Sequence, residues 1–140
     1  AERVTPGIEK LIEKTDFLIS SEHFPKQLTR VNDRYESLKI IFSMGPKLVG
    51  MTLGSNGVLA YDGHTFYEVD SFTVDVVDTT GAGDAFHAGF LYGQIRNFSI
   101  EESLRYANAV AAINCTQLGG RSALPSSNEV LQFLSVNKKG

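Results

Sequence analysis

Two periodicities alternate along this chain: apolar residues at helical spacing give way to short apolar runs rich in β-branched and aromatic residues. Ile8, Leu11 and Ile12 make one stripe, which predicts a short helix over Ile8 to Lys14 opened by Thr5-Pro6-Gly7. Asp16 to Ile19 reads as a short buried strand and Phe24 to Leu28 as a helical turn. Leu38, Ile41 and Phe42 predict a helix over Tyr35 to Met44, stopped by Gly45-Pro46. Lys47 to Leu53 is the next strand. Val58 to Tyr61 and Thr65 to Val69 follow as strands joined by Asp62-Gly63-His64, where Asp-Gly is a strong hairpin signal. The run Phe72 to Val77 is strand-like, with a strand over Val74 to Val77, and Ala85 to Tyr92 reads as a helix with a small-residue face. Ser99 with Glu102, and Ser126 with Glu129, have capping-box spacing and open the last two helices. The first of these runs to Thr116; the second carries Val130, Leu131, Phe133 and Leu134 on one face, before a frayed basic end at Asn137 to Gly140.

Alternating strands and helices with one hairpin argue an α/β layered fold: a mostly parallel sheet with helices on both faces and an antiparallel hairpin at its edge. In such sheets ligands bind beyond the carboxyl ends of strands. Three loops lie at such ends, Ser20 to Phe24, Gly54 to Gly57 and Thr79 to Asp84, which predicts one shared site. The third stands out. Asp78-Thr79-Thr80-Gly81-Ala82-Gly83-Asp84-Ala85-Phe86 sits between a predicted strand and a predicted helix. Read plainly, its glycines supply turn geometry and Asp84 caps the helix. Read chemically, the first amides of that helix lack intrahelical partners and carry the positive end of its dipole, which makes an anion site. A carboxylate beside a bound anion costs Coulomb energy unless it has a task, and accepting a proton is the obvious one. Phe86 stands where a dinucleotide fingerprint needs its third glycine, and no G-x-x-x-x-G-K-[ST] occurs.

Composition narrows the classes. The chain has 140 residues, one domain's worth, with 42% hydrophobic and 21% charged residues, ordinary for a globular protein. A net charge of −3 gives no basic footprint for nucleic acid. No apolar run approaches the ~20 residues of a membrane span, and the start shows no signal-peptide pattern. The single cysteine, Cys115, suits a reducing cytoplasm and reads as a small buried residue. Ala1 to Val4 open without an initiating methionine and read as the middle of a longer chain.

The run D-T-T-G-A-G-D-A-F closely resembles the signature of the ribokinase-like (pfkB) sugar kinases, and Thr52-Leu53-Gly54-Ser55-Asn56-Gly57 resembles that family's nucleotide loop. The resemblance covers Thr5 to Leu134 and implies that residues 1–140 are the carboxyl-terminal, nucleotide-binding and catalytic-base part of a ribokinase-like kinase domain. It implies an enzyme that moves the γ-phosphate of Mg·ATP to a primary hydroxyl of a sugar, a partial domain with little turnover on its own, and a homodimer in the full-length protein. Asp84 is then the general base, and the amides of Gly81, Ala82 and Gly83 the anion hole. Thr52, Gly54, Ser55 and Gly57 line ATP. Asn108, in an alanine-rich helix, is either solvent-facing or, by the resemblance, an adenine-side contact.

The resemblance also implies a monovalent-cation site, filled by K⁺, at Asp78, Thr80, Asn114, Gln117 and Gly119; a side-chain ligand common further on falls at Ala123, which lacks an oxygen there. Asp78 reads equally well as a cap on its own turn. In the loop that matches Ser20 to Phe24 the family has N-x-x-E, the glutamate ordering Mg²⁺. Here Ser21 and Phe24 replace those two residues, and Glu22 is the Mg²⁺-associated substitute. His87 reads as a packed or capping histidine. Two other classes stay open: a nucleotide-binding module without catalysis, and an interaction protein on a kinase-like scaffold.

Overall fold

Residues 6–138 are described by the computed structural model, and the chain divides into two units, Ala1–Leu53 with Val58–Glu68 and Gly54–Gly57 with Val69–Gly140. The expectations for residues 1–5 and 139–140 lie outside the described residues.

In the first unit the short apolar runs form one sheet in the order β1 (Phe17–Ser21), β2 (Leu48–Thr52), β3 (Val58–Tyr61), β4 (Phe66–Val69). β1 and β2 are parallel, Phe17 opposite Leu48 and Ser21 opposite Thr52; β2 and β3 are antiparallel. Among the described residues parallel pairing is therefore confined to β1 and β2, and the sheet is mixed. The first four residues of β2 are all buried, as an unbroken apolar run between two faces requires. The hairpin forms where Asp-Gly placed it, with Asp62 Oδ1 accepting from the His64 and Thr65 amides at 2.9 and 2.7 Å. Three helices accompany the sheet: α1 (Ile8–Glu13), α2 (His23–Thr29) and α3 (Arg34–Phe42). α3 starts at Arg34 because the Asp33 carboxylate accepts from the Glu36 amide at 2.8 Å. It packs on β2 and β3. Ile12, Leu38, Ile41, Val49, Met51 and Leu59 form the core.

The second unit holds α4 (Ala82–Ile95), α5 (Ile100–Asn114) and α6 (Ser127–Val136). Both capping boxes form. Ser99 Oγ accepts from the Glu102 amide at 3.1 Å while Glu102 accepts from the Ser99 amide at 2.8 Å, and Ser126 and Glu129 repeat the exchange. α4 and α5 touch through small residues. A Cβ on Gly89 would lie 2.9 Å from the Ala107 Cα, and one on Gly93 would lie 2.6 Å from the Ser103 Oγ. Tyr106, Ala109, Val110 and Val130 are buried with Ala85 in the core of this unit.

Two expectations change. α4 begins at Ala82, three residues before the expected Ala85, so Gly83 and Asp84 stand in its first turn. The Phe72–Val77 run forms no strand: Val76 and Val77 are each 60% exposed. The Val77 amide donates instead to the Cys115 carbonyl at 2.8 Å, just past the end of α5. β-branched residues favour strands only where a pleated neighbour is there to pack against, and among the described residues none pairs with this run.

The α4–α5 contact yields a stability test. Gly89→Val should overpack a backbone that cannot retreat and cost about 1–3 kcal/mol. The expected result is a lower urea midpoint at unchanged slope; an unchanged midpoint would mean that the helices do not meet there.

Candidate active site

The glycine turn is held from one side by the end of α5. Asp78 Oδ1 accepts from the Thr80 amide at 2.9 Å and the Thr80 hydroxyl at 2.7 Å, while Oδ2 accepts from the Gly119 amide at 2.9 Å. The carboxylate is thus a cap on its own turn and also a staple to the loop after α5. The Thr80 hydroxyl first, then the Gly119 and Thr80 amides, hold its carboxyl below the usual carboxylate range. Buried Asn114 adds a second tie, its Nδ2 donating to the Thr80 carbonyl at 3.2 Å. Gly81 then turns at φ 74°, and a Cβ there would lie 3.1 Å from the Gly120 Cα. Only glycine combines that dihedral with that approach.

The turn delivers the chain into the first turn of α4. Of the three amides expected to form an anion hole, that of Ala82 is engaged by the Thr79 carbonyl at 3.1 Å. The amides of Gly83 and Asp84 are first-turn donors without intrahelical acceptors, at the positive end of the helix. Gly83 has no positive φ, and a Cβ there would meet nothing within 4 Å. Nothing in the described protein itself therefore requires glycine at this position. Asp84 is exposed, and among the described residues no hydrogen bond or ion pair engages its carboxylate. His87 closes on its own helix, Nδ1 lying 2.7 Å from the Gly83 carbonyl and so carrying the proton.

Beside the turn lies a cavity of about 390 Å³. Gly54 and Ser55, in the tight turn Gly54–Asn56, line it together with Thr79 and Ala82. Two of the three loops expected to share a site thus meet; Ser20 to Phe24 belongs to the other unit. Gly57 lets the loop reach this wall, since at φ 89° a Cβ would lie 2.0 Å from the Val69 carbonyl oxygen. The remaining lining is mainly apolar, from Phe72, Val74 and Val76 and from Ala111, Ala112 and Cys115. A mainly apolar lining with a few polar groups is what a flat heterocycle bearing a charged tail needs.

The sequence matches the family described as pfkB family carbohydrate kinase over residues 1–127. The chain belongs to that family. It is 34% identical over 131 residues to a ribokinase of Lactococcus lactis, covering 91% of this chain and 42% of the relative. Among solved structures it is similar to a putative ribokinase II of E. coli in complex with ATP and Mg²⁺, with 26% identity, a TM-score of 0.87, and 93% and 42% of the two chains covered. It is also similar to a fructokinase double mutant of Vibrio cholerae in fructose-, ADP- and potassium-bound form, with 30% identity, a TM-score of 0.81, and 89% and 42% covered. The fold is ribokinase-like, and the chain spans about two fifths of the length of these proteins.

Against the pfkB expectations, several residues stand apart. Asn108 is 5% exposed and does not line the cavity; its Nδ2 donates to the Val69 and Asp70 carbonyls at 3.2 and 3.1 Å, pinning the chain after β4 to α5. That burial rules out the solvent-facing reading. Thr52 ends β2 and donates through Oγ1 to the Ser20 carbonyl at 3.4 Å. The cavity-wall residues of Phe72–Val76 were masked in the sequence by their strand-like composition, and Ala111, Ala112 and Cys115 by their ordinary look within a helix. Burial pushes the Cys115 thiol up, and the Asp78 charge adds to it, so it lines the wall without being a nucleophile.

The implied metals fare differently. Glu22 is ion-paired to Arg34 at 2.8 Å, and among the described residues no group of three or more His, Cys, Asp or Glu is placed to hold a metal ion. Around Asp78 the donors fit a monovalent cation: one carboxylate, the Thr80 carbonyl, and Asn114 Oδ1, which is buried without a hydrogen-bond partner. Gln117 and Gly119 follow on the same loop, Gln117 exposed and Gly119 half-buried.

Two outcomes are expected. Gly83→Ala should leave folding stability unchanged or raised, by up to about 1 kcal/mol, yet weaken binding of an ATP analogue measured by calorimetry; unchanged affinity would show that nothing docks on this turn. Because Asp78 titrates below its unfolded value, its contribution is present above about pH 4 and is lost as pH falls through the depressed folded value. The stability gap between the unsubstituted chain and Asp78→Asn should therefore be constant above that pH and shrink below it. A gap constant throughout the acid limb contradicts the staple.

Proposed function

We propose that the full-length protein is an ATP-dependent sugar kinase and that this chain supplies its nucleotide cavity, anion site and base. The observation that carries the reading is the meeting, at one cavity, of Gly54-Ser55 with the start of α4, where Asp84 offers an unengaged carboxylate. The adenine and ribose of ATP occupy the apolar slot, and Gly54, Ser55 and Gly57 follow the nucleotide. The γ-phosphate meets the Gly83 and Asp84 amides, with Gly81 shaping the bend. Such donors act by being fixed before charge develops on the moving phosphoryl group, an effect of ~3–4 kcal/mol per donor in analogous holes.

In this mechanism a primary hydroxyl of the sugar attacks the γ-phosphorus. Its new O–P bond forms as the bond from the γ-phosphorus to the β–γ bridging oxygen breaks, and ADP leaves. The hydroxyl proton passes to Asp84 late, once attack has acidified it, so an ordinary carboxylate suffices and placement matters more than basicity. Asp84 returns the proton to solvent. A cytoplasmic setting agrees with one buried cysteine and with the absence, among the described residues, of a helix long and apolar enough to cross a membrane.

A second reading, nucleotide binding without transfer, draws on the Glu22–Arg34 pair, which engages the carboxylate assigned to Mg²⁺. Asp84→Asn in the full-length protein separates the two. A kinase should lose about 10²–10⁴ in kcat with ATP affinity retained; sugar-dependent turnover within a few-fold of the unsubstituted enzyme would remove Asp84 from the chemistry.

A further inference from the structure

His87 stands one turn along α4 from Gly83, and its Nδ1 lies 2.7 Å from the Gly83 carbonyl oxygen. A carbonyl brings no proton, so Nδ1 carries it and donates, which fixes the tautomer of the neutral ring. The helix does not call for this bond. At an amino-terminal end the groups left over are N–H donors, whereas the carbonyls are served by the helical ladder, that of Gly83 by the His87 amide. A capping side chain would accept from an orphan amide; this one brings a second donor to a carbonyl that already has one. Burial does not call for it either, since the residue is exposed.

The consequence lies in the peptide that the imidazole grips. The Gly83 carbonyl and the Asp84 N–H belong to one planar unit. Holding the oxygen therefore fixes where the Asp84 amide points, and the same plane meets the Asp84 Cα, from which the carboxylate is aimed. Gly83 gives that plane no anchor of its own, because even a Cβ there would meet nothing within 4 Å. A donor at the oxygen also polarises the unit, and hydrogen bonds in a chain strengthen one another by roughly 10–30% per bond. The N–H so strengthened is one of the first-turn donors without intrahelical acceptors. We propose that His87 is a positioning residue of the anion site, its Nδ1–H orienting and polarising the Gly83–Asp84 peptide whose N–H meets the terminal phosphate. The imidazole acts through that peptide and makes no bond to the phosphate. The inference deepens the kinase reading and rests on it.

The full-length protein carries the test. Nitrogen-15 spectra of the neutral imidazole should place the proton on Nδ1; the Nε2–H tautomer overturns the proposal whether or not the protein is a kinase. His87→Phe keeps an exposed ring and removes the donor. It should lower kcat about 2–8-fold, the effect of such a strengthening on one donor of an anion hole. It should also weaken binding of a non-hydrolysable ATP analogue while ADP, which lacks the terminal phosphate, binds as before. His87→Asn, whose Nδ2 can stand where Nδ1 does, should recover most of both losses. A histidine that merely supports the fold would weaken ADP and the ATP analogue alike. That outcome, an unchanged kcat in His87→Phe, or an equal loss in His87→Asn overturns the inference. An unsubstituted protein that neither binds the ATP analogue nor turns over with a sugar overturns the kinase reading, and this inference with it.

Discussion

The second unit depends on the attachment of the glycine turn to the carboxyl end of α5. Asp78, Thr80 and Gly81 are not held by strand pairing, because the residues before them form no strand. They are held by a carboxylate reaching Gly119, an amide reaching the Thr80 carbonyl, backbone bonds to Cys115 and a close approach to Gly120. Each tie is modest, and the hydrogen bonds at the half-buried Asp78 carboxylate are open to competition from water. Together they leave the entry into α4 one path, which fixes where its first amides point. Preorganisation of this kind is what a site acting on developing charge requires.

That path explains the distribution of glycines in the motif. Gly81 is demanded by its dihedral and by Gly120, whereas Gly83 is demanded by nothing within the described protein. A glycine in a helical turn forgoes stability relative to alanine, so its presence at an open position beside unengaged amides argues for something outside the chain that must come close. The adjacent cavity supplies the matching half of that argument. Its mainly apolar lining, with Ser55 and Thr79 among its few polar groups, suits one molecule with a flat apolar part and a charged tail.

Much of this was legible in the residues. Ser99 with Glu102 and Ser126 with Glu129 named their helix starts because the capping box is a local exchange of two hydrogen bonds, and Asp62-Gly63 named the hairpin for the same reason. The run Asp78 to Phe86 carried the resemblance to the pfkB family, to which the chain belongs. What stayed hidden depends on distant partners. Phe72 to Val77 has strand composition but becomes a cavity wall, because propensity does not say whether a neighbour is there. Asn108 finds the Val69 and Asp70 carbonyls, and Glu22 finds Arg34, across separations of 12 residues or more. The two ends of Asn114 are distinguishable only when Thr80 is placed beside one of them.

A crystal structure of the chain with a non-hydrolysable ATP analogue tests the central claim most directly. The base and ribose should lie in the slot between Ser55 and Ala112, with the terminal phosphate accepting from the Gly83 and Asp84 amides. A nucleotide bound elsewhere, or a terminal phosphate remote from the start of α4, would contradict it.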